Sequence, residues 1–178
     1  MLRPALRLIA GTALVALGTV PFARAVQPGT SEATAGHDRM ASRLAANFAG
    51  LAGSPANARA LAEALHAGTE ATLHSPAAGA GSAKTATVIT PPTPPLGWIH
   101  VSHSLSLARL ALGRCGIAEP ANEQLKTVLV GGTLVAADGA PVAMRGILRM
   151  RADGLGWGQI AQAIGVCASA PALDGKGS

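Results

Sequence analysis

Apolar side chains recur at helical spacing in the first half of the chain. Between about residue 37 and Gly53 the apolar positions are separated by four, four and three residues, which predicts an amphipathic helix. The next segment opens with Ser54-Pro55, an N-cap hydroxyl followed by a proline at the first helical position, and it ends at Gly68. The pattern therefore predicts a helical hairpin over residues 37–74, closed by a short extended piece. The apolar positions of the two helices are Met40, Leu44, Phe48, Leu51, Ala58, Leu61, Ala62 and Leu65.

Helical periodicity is absent from three other stretches of the chain. Residues 26–36 are small and polar, which predicts a disordered N-terminus. Residues 75–97 are rich in Ala, Gly and Pro and end in a Pro-Pro-Thr-Pro-Pro run, so we predict a linker that is either flexible or wrapped over the surface. Residues 168–178 are predicted to form a flexible tail.

The helical period returns in a second block, residues 98–167. It predicts four further helices: from Trp98 to about Arg114, from Pro120 to Gly131, around Met144 to Leu148 with an end at Gly154, and from Trp157 to Gly165. Asp138-Gly139 has the chemistry of a tight turn, so a small β-hairpin is compatible with residues 133–141. The predicted fold class is mainly α, a small bundle of about six short helices in two blocks joined by the Pro/Gly-rich segment.

The first 25 residues have the pattern of an export signal. Arg3 and Arg7 precede an uncharged apolar run over residues 8–20, and Ala23-Arg24-Ala25 has the small-x-small pattern that signal peptidase accepts. A membrane-spanning helix needs about 20 apolar residues, so a retained anchor is the less favoured interpretation. We therefore predict a signal peptide over residues 1–25, cleavage after Ala25, no stable membrane span after cleavage, and a periplasmic or secreted protein.

Cleavage of the signal peptide lowers the net charge of the protein. The full chain carries 14 Lys and Arg against 9 Asp and Glu, a formal net charge of +5. Arg3, Arg7 and Arg24 leave with the signal, so 11 basic residues face 9 acidic ones and the net charge falls to +2. This is an ordinary soluble surface, and it does not indicate a polyanion-binding protein.

Two cysteines remain after export. Cys115 and Cys167 would both reach an oxidising compartment, where a disulfide between them is the first hypothesis and a pair of free thiols the second. Aromatic residues are scarce, so the core is expected to be small and aliphatic, and a bridge would supply a large share of its stability.

Residues 146–166 resemble the first two helices of a helix-turn-helix, as in resolvase-like and transposase-like DNA-binding domains. The resemblance lies in Arg151-Ala-Asp-Gly154, a short turn, and Ile160-Ala-Gln-Ala-Ile-Gly-Val166. Such a motif needs a further recognition helix, whereas residues 167–178 supply small residues, a proline and one lysine. A DNA-binding protein is therefore kept as an alternative hypothesis, and we expect no nucleic-acid partner.

His100 and His103 are the residues that most suggest a metal-binding or catalytic role. They lie three positions apart on a predicted helix, so both can face one side and contribute to a metal site, which needs at least one more ligand. A small metal-dependent enzyme or hydrolase that uses them is the second hypothesis. The first interpretation is that both are polar positions of an amphipathic helix. We accordingly assign no catalytic, cofactor-binding or metal-ligating residue and predict no cofactor.

Three phrases together resemble a group of exported proteins of Gram-negative bacteria with no assigned activity. They are Leu-Ala-Gly-Ser-Pro-Ala-Asn-Ala at 51–58, Pro-Pro-Thr-Pro-Pro-Leu-Gly at 91–97, and the stretch 146–165. The resemblance covers most of the mature chain and implies a shared fold unit, without catalytic residues. It favours a non-catalytic exported envelope protein that acts as a binding or structural accessory, with another envelope protein as the candidate partner.

Overall fold

The structure of the protein, a computed structural model, describes residues 28–75 and 85–164. Within these ranges the chain is mainly helical, with six helices and two small sheets. The helices are α1 (Pro28–Phe48), α2 (Pro55–Ala67), α3 (Trp98–Arg114), α4 (Asn122–Val130), α5 (Ile147–Ala152) and α6 (Trp157–Ala163). The mainly α class predicted from the periodicity is confirmed.

Each sheet is an antiparallel pair of four-residue strands. β1 (Ala71–His74) pairs with β2 (Ala86–Ile89), so that Ala71 lies opposite Ile89. β3 (Gly132–Val135) pairs with β4 (Pro141–Met144) through a turn at Asp138-Gly139, which confirms the predicted hairpin. Asp138 stabilises that turn because its Oδ1 accepts a hydrogen bond from the backbone N–H of Ala140, at 2.9 Å.

The predicted helical hairpin forms from α1 and α2. Ser54 caps α2, its hydroxyl accepting from the N–H of Asn57 at 3.1 Å, and Gly68 ends the helix in the left-handed conformation, at φ 69°. The core is aliphatic, as the composition predicts. It is formed mainly by leucines and alanines of α1 to α4, together with buried residues of the strands, α5 and α6, and Phe48 is the one Phe or Trp that the described residues bury in it.

A buried amide joins the start of α2 to the edge of β1. Asn57 is 4% exposed. Its Nδ2 donates to the carbonyls of Ala52 and His74, at 2.8 and 2.9 Å, and its Oδ1 accepts from the N–H of His74 at 3.0 Å. The side chain therefore pairs with the end of β1 as a neighbouring strand would.

The structure differs from the predictions at three places. α1 begins at Pro28, so residues 28–36 of the predicted disordered N-terminus are helical. Residues 75–97 are not only a linker, because β2 lies within them and pairs with β1. Met144 belongs to β4 and not to the following helix. Residues 28–36 are helical although their composition favours disorder, because helix propensity alone predicts local structure weakly. β2 and the strand that contains Met144 form because each pairs with a neighbouring strand, which a local sequence pattern does not show.

A close backbone approach fixes the junction between α4, β4 and α5. Gly146 has φ +80°, and a Cβ atom there would lie 2.3 Å from the carbonyl carbon of Val130. Only a residue without a side chain fits that approach. The junction places α5 beside the C-terminal end of α4.

Several predictions fall on residues outside the described ranges. These are the signal peptide and its cleavage after Ala25, the segment 76–84, Cys167, and the tail 168–178. Within the described ranges, none of the helices combines the length and the apolar character that a membrane crossing requires.

A candidate anion-binding cleft

The proline-rich run is held against the end of α2. We call residues 91–97 the strap. The N–H of Leu96 donates to the carbonyl of Leu65 at 3.1 Å, and Nδ1 of His66 lies 2.7 Å from the carbonyl oxygen of Leu96. Gly68 permits this contact, since a Cβ atom there would lie 2.9 Å from Pro95. The strap is therefore fixed on the α2 side.

On its other side the strap forms one wall of a cleft of about 390 Å³, which lies at the small end of the range for ligand pockets. The opposite wall comes from the first turn of α3 and from the end of α5. The lining residues are Thr93, Pro94, Pro95, Leu96, His100, Arg151, Ala152 and Gly154.

Thr93 is one of the residues that line this cleft. The residue is 6% exposed, and its Oγ1 is the one buried side-chain oxygen or nitrogen of the described residues that has no hydrogen-bond partner. Its neighbours in the strap are prolines on both sides, which have no N–H to offer. A buried hydroxyl without a partner costs about 1–3 kcal/mol, so an unsatisfied group of this kind calls for a functional explanation.

Arg151 supplies a positive charge. Its guanidinium lies over the ring of Trp157, 5.3 Å from the centroid, and one Nη1–H donates to the carbonyl of Leu155 at 2.9 Å. Among the residues that the structure describes, no carboxylate pairs with it. Most of its donors therefore have no partner among the described residues, on a side chain that is half-buried and held by an aromatic ring.

His100 supplies a third donor, and Trp157 determines which nitrogen carries the proton. The indole N–H of Trp157 donates to Nδ1 of His100 at 3.0 Å. Because Nδ1 accepts, the proton of the neutral ring sits on Nε2. The half-buried imidazole thus has an N–H left to donate.

The polar groups of the cleft are complementary to an anion. Thr93, Arg151 and His100 line one small cavity, and none of the lining residues named above is acidic. The guanidinium fork matches the two oxygens of a carboxylate. Pro94, Pro95, Leu96 and Ala152 make the remaining wall apolar.

The structure places His100 and His103 as neighbours on α3, with ring centroids 6.3 Å apart and both beside Trp157. In this arrangement neither ring nitrogen of His100 offers a lone pair to a metal, since one accepts from the indole and the other carries the proton. Over the described ranges, no three His, Cys, Asp or Glu side chains gather as metal ligands would.

Cys115, one half of the predicted disulfide, is the C-cap residue of α3 and is 5% exposed. Its predicted partner Cys167 lies outside the described residues. The bridge therefore stays a prediction.

The stretch that resembles a helix-turn-helix contains two short helices, α5 and α6, and α5 packs against both α6 and α4. The sequence pattern places Arg145, Arg149 and Arg151 largely on the exposed face of a helix, where a solvated charge is expected. Arg145 and Arg149 are exposed, whereas Arg151 is half-buried on Trp157. Arg151 is less exposed than the other two because its guanidinium covers the ring of Trp157 in the next helix.

Comparison of the chain with protein-family models, with curated proteins and with solved structures gives no match.

Proposed function

We propose that this protein is a non-catalytic, exported accessory protein of the cell envelope that binds a small carboxylate-bearing molecule in the cleft. Arg151, which lines the cleft and has no carboxylate partner among the described residues, carries the proposal, and Thr93 with its unpartnered hydroxyl lines the same cleft. Such a hydroxyl is destabilising unless an acceptor is supplied from outside. A carboxylate supplies acceptors for the hydroxyl, the guanidinium and the imidazole N–H together.

The size and lining of the cleft favour a small organic acid over inorganic phosphate. A volume of about 390 Å³ is enough to hold a small molecule. Its prolines, leucine and alanine offer contact to methylene or methyl groups, which phosphate lacks. Phosphate shares the charge and is therefore the natural competitor in a binding experiment.

Export is the second part of the proposal. It is supported by the basic start, the apolar run and the Ala23-Arg24-Ala25 pattern, and by the resemblance to exported proteins of Gram-negative bacteria. The intact mass of protein recovered from the cell envelope tests it: the proposal predicts loss of residues 1–25. A cytosolic protein that retains those residues would contradict it.

The binding part is tested by calorimetry on the mature protein. Propionate is compared with propionamide, which has the same size without the charge, and with inorganic phosphate. We expect saturable binding of propionate, no binding of the amide, and weaker binding of phosphate. Tighter binding of phosphate would assign the cleft to inorganic anions and contradict the organic-acid proposal.

Two variants and one control locate the binding. Arg151→Gln removes the guanidinium and Thr93→Val removes the hydroxyl, and each should weaken propionate binding at least tenfold, about 1.4 kcal/mol. Arg149→Gln removes the same charge from an exposed position of the same helix and should leave the affinity unchanged. Equal effects of Arg149→Gln and Arg151→Gln would show that only the net charge matters, and the cleft would not be the site.

A further inference from the structure

A second cluster of aromatic and imidazole rings lies behind the strap, where α1 meets α2. His66 stacks on Trp98 with ring centroids 4.0 Å apart and an angle of 16° between planes. His37 meets the edge of Trp98, with centroids 4.8 Å apart, and its ring centroid lies 5.3 Å from that of His66. Both histidines are half-buried, so the rings are held in place while solvent still reaches them.

The hydrogen bond of His66 prepares it as a ligand. Its Nδ1 lies 2.7 Å from the carbonyl oxygen of Leu96, and a carbonyl can only accept, so Nδ1 carries the proton. Nε2 then has a free lone pair. A bond from the distal N–H to a backbone carbonyl is how metal-binding histidines are commonly oriented.

The separation of the two ring centroids matches the one expected for two imidazoles that share a tetrahedral ion. With metal–nitrogen bonds of about 2.0–2.1 Å, an ion lies about 3.2 Å from each ring centroid, and a tetrahedral angle puts the centroids about 5.2 Å apart. His37 and His66 are 5.3 Å apart. The ring centroids of His100 and His103 are 6.3 Å apart, so a shared ion would need a nitrogen–metal–nitrogen angle of about 160°, far from tetrahedral. In addition, Nδ1 of His100 already accepts the hydrogen bond from Trp157.

We propose that His37 and His66 form a site for a late divalent transition-metal ion, with solvent in the remaining coordination positions. Imidazole nitrogens suit Zn²⁺, Ni²⁺ and Cu²⁺, and copper binds most tightly in that series. With no third His, Cys, Asp or Glu gathered beside them among the described residues, the two histidines lack one of the three protein ligands usual in zinc sites, so we expect weaker binding than in a complete zinc site. This inference does not depend on anion binding in the cleft.

Calorimetric titration of the mature protein with Cu²⁺, repeated with Zn²⁺, tests the site. We expect one ion per chain, tighter binding of Cu²⁺ than of Zn²⁺, and nitrogen hyperfine coupling from two imidazoles in the electron paramagnetic resonance spectrum of the copper form. His37→Gln and His66→Gln should each weaken binding at least tenfold. His103→Gln, which changes an exposed histidine, should have no effect.

His37→Gln keeps the test valid if His66→Gln disturbs the strap, because the described contacts of His37 are to rings and not to Leu96. Folding of each variant is checked by circular dichroism. Affinities unchanged in both His37→Gln and His66→Gln, or lost in His103→Gln, would overturn the assignment. A copper spectrum with a single imidazole nitrogen would also overturn it.

Discussion

Thr93→Val should stabilise the ligand-free protein, whereas most substitutions in a core destabilise it. Valine has the shape and β-branching of threonine, so the change replaces only a hydroxyl by a methyl group. In this structure Thr93 is 6% exposed, and its buried hydroxyl has no hydrogen-bond partner. The substitution therefore removes a desolvation penalty without breaking a hydrogen bond.

The expected gain in the free energy of unfolding follows from the environment of the Thr93 hydroxyl. An unsatisfied buried polar group costs about 1–3 kcal/mol, so we expect the free energy of unfolding to rise by about that amount. Thr87 provides the matched control. It is 2% exposed, but its hydroxyl donates to Oε1 of Glu123 at 2.8 Å, so Thr87→Val should lower the free energy of unfolding by about 1 kcal/mol.

Urea unfolding of the wild type and the two variants, at one pH and without added carboxylate, measures both changes. The two substitutions should have opposite signs with similar slopes against urea concentration. If Thr93→Val destabilises the protein as much as Thr87→Val does, the Thr93 hydroxyl has a partner already. The argument that the cleft awaits an acceptor would then fail.

Three further predictions concern the fold. Asn57→Ala removes three hydrogen bonds to Ala52 and His74 and should cost about 3 kcal/mol in urea unfolding, and a cost under about 0.5 kcal/mol would refute the role of the amide. Gly146→Ala should destabilise the protein far more than Gly139→Ala, since both have positive φ but only Gly146 has backbone within 4 Å of the added Cβ; equal costs in thermal melts would contradict this. If Cys115 and Cys167 are bridged, alkylation of the unreduced, unfolded protein should label neither, and reduction should lower stability by about 4 kcal/mol; labelling of both would refute the bridge.

The helices were largely predictable because the residues that begin and end them can be recognised in the local sequence. Ser54, Pro55 and Gly68 define α2, and α3 spans Trp98–Arg114 as its periodicity predicts. The second strand of the first sheet was not predictable in this way. β2 is four residues long within a stretch rich in Pro, Gly and Ala, and only its pairing with β1 makes it a strand.

The candidate site depends on contacts between residues that are distant in sequence. Thr93 stands in a proline run that suggests a linker, and Arg151 stands on a helix that suggests a solvated face. Nothing in their local sequence shows that α5 brings Arg151 to the strap, or that Trp157 orients His100. The one local signal was the pair of histidines, of which His100 lines the cleft.

The central claim is that the cleft beside Trp157 binds carboxylates. The chain has two tryptophans, so a ¹⁵N-labelled sample shows two indole N–H signals, one from the cleft and one from Trp98 behind the strap. On titration with propionate the Trp157 signal should shift saturably while the Trp98 signal stays in place, and Arg151→Gln should abolish the shift. A Trp157 signal that does not move, or one that moves equally in Arg151→Gln, would contradict the account.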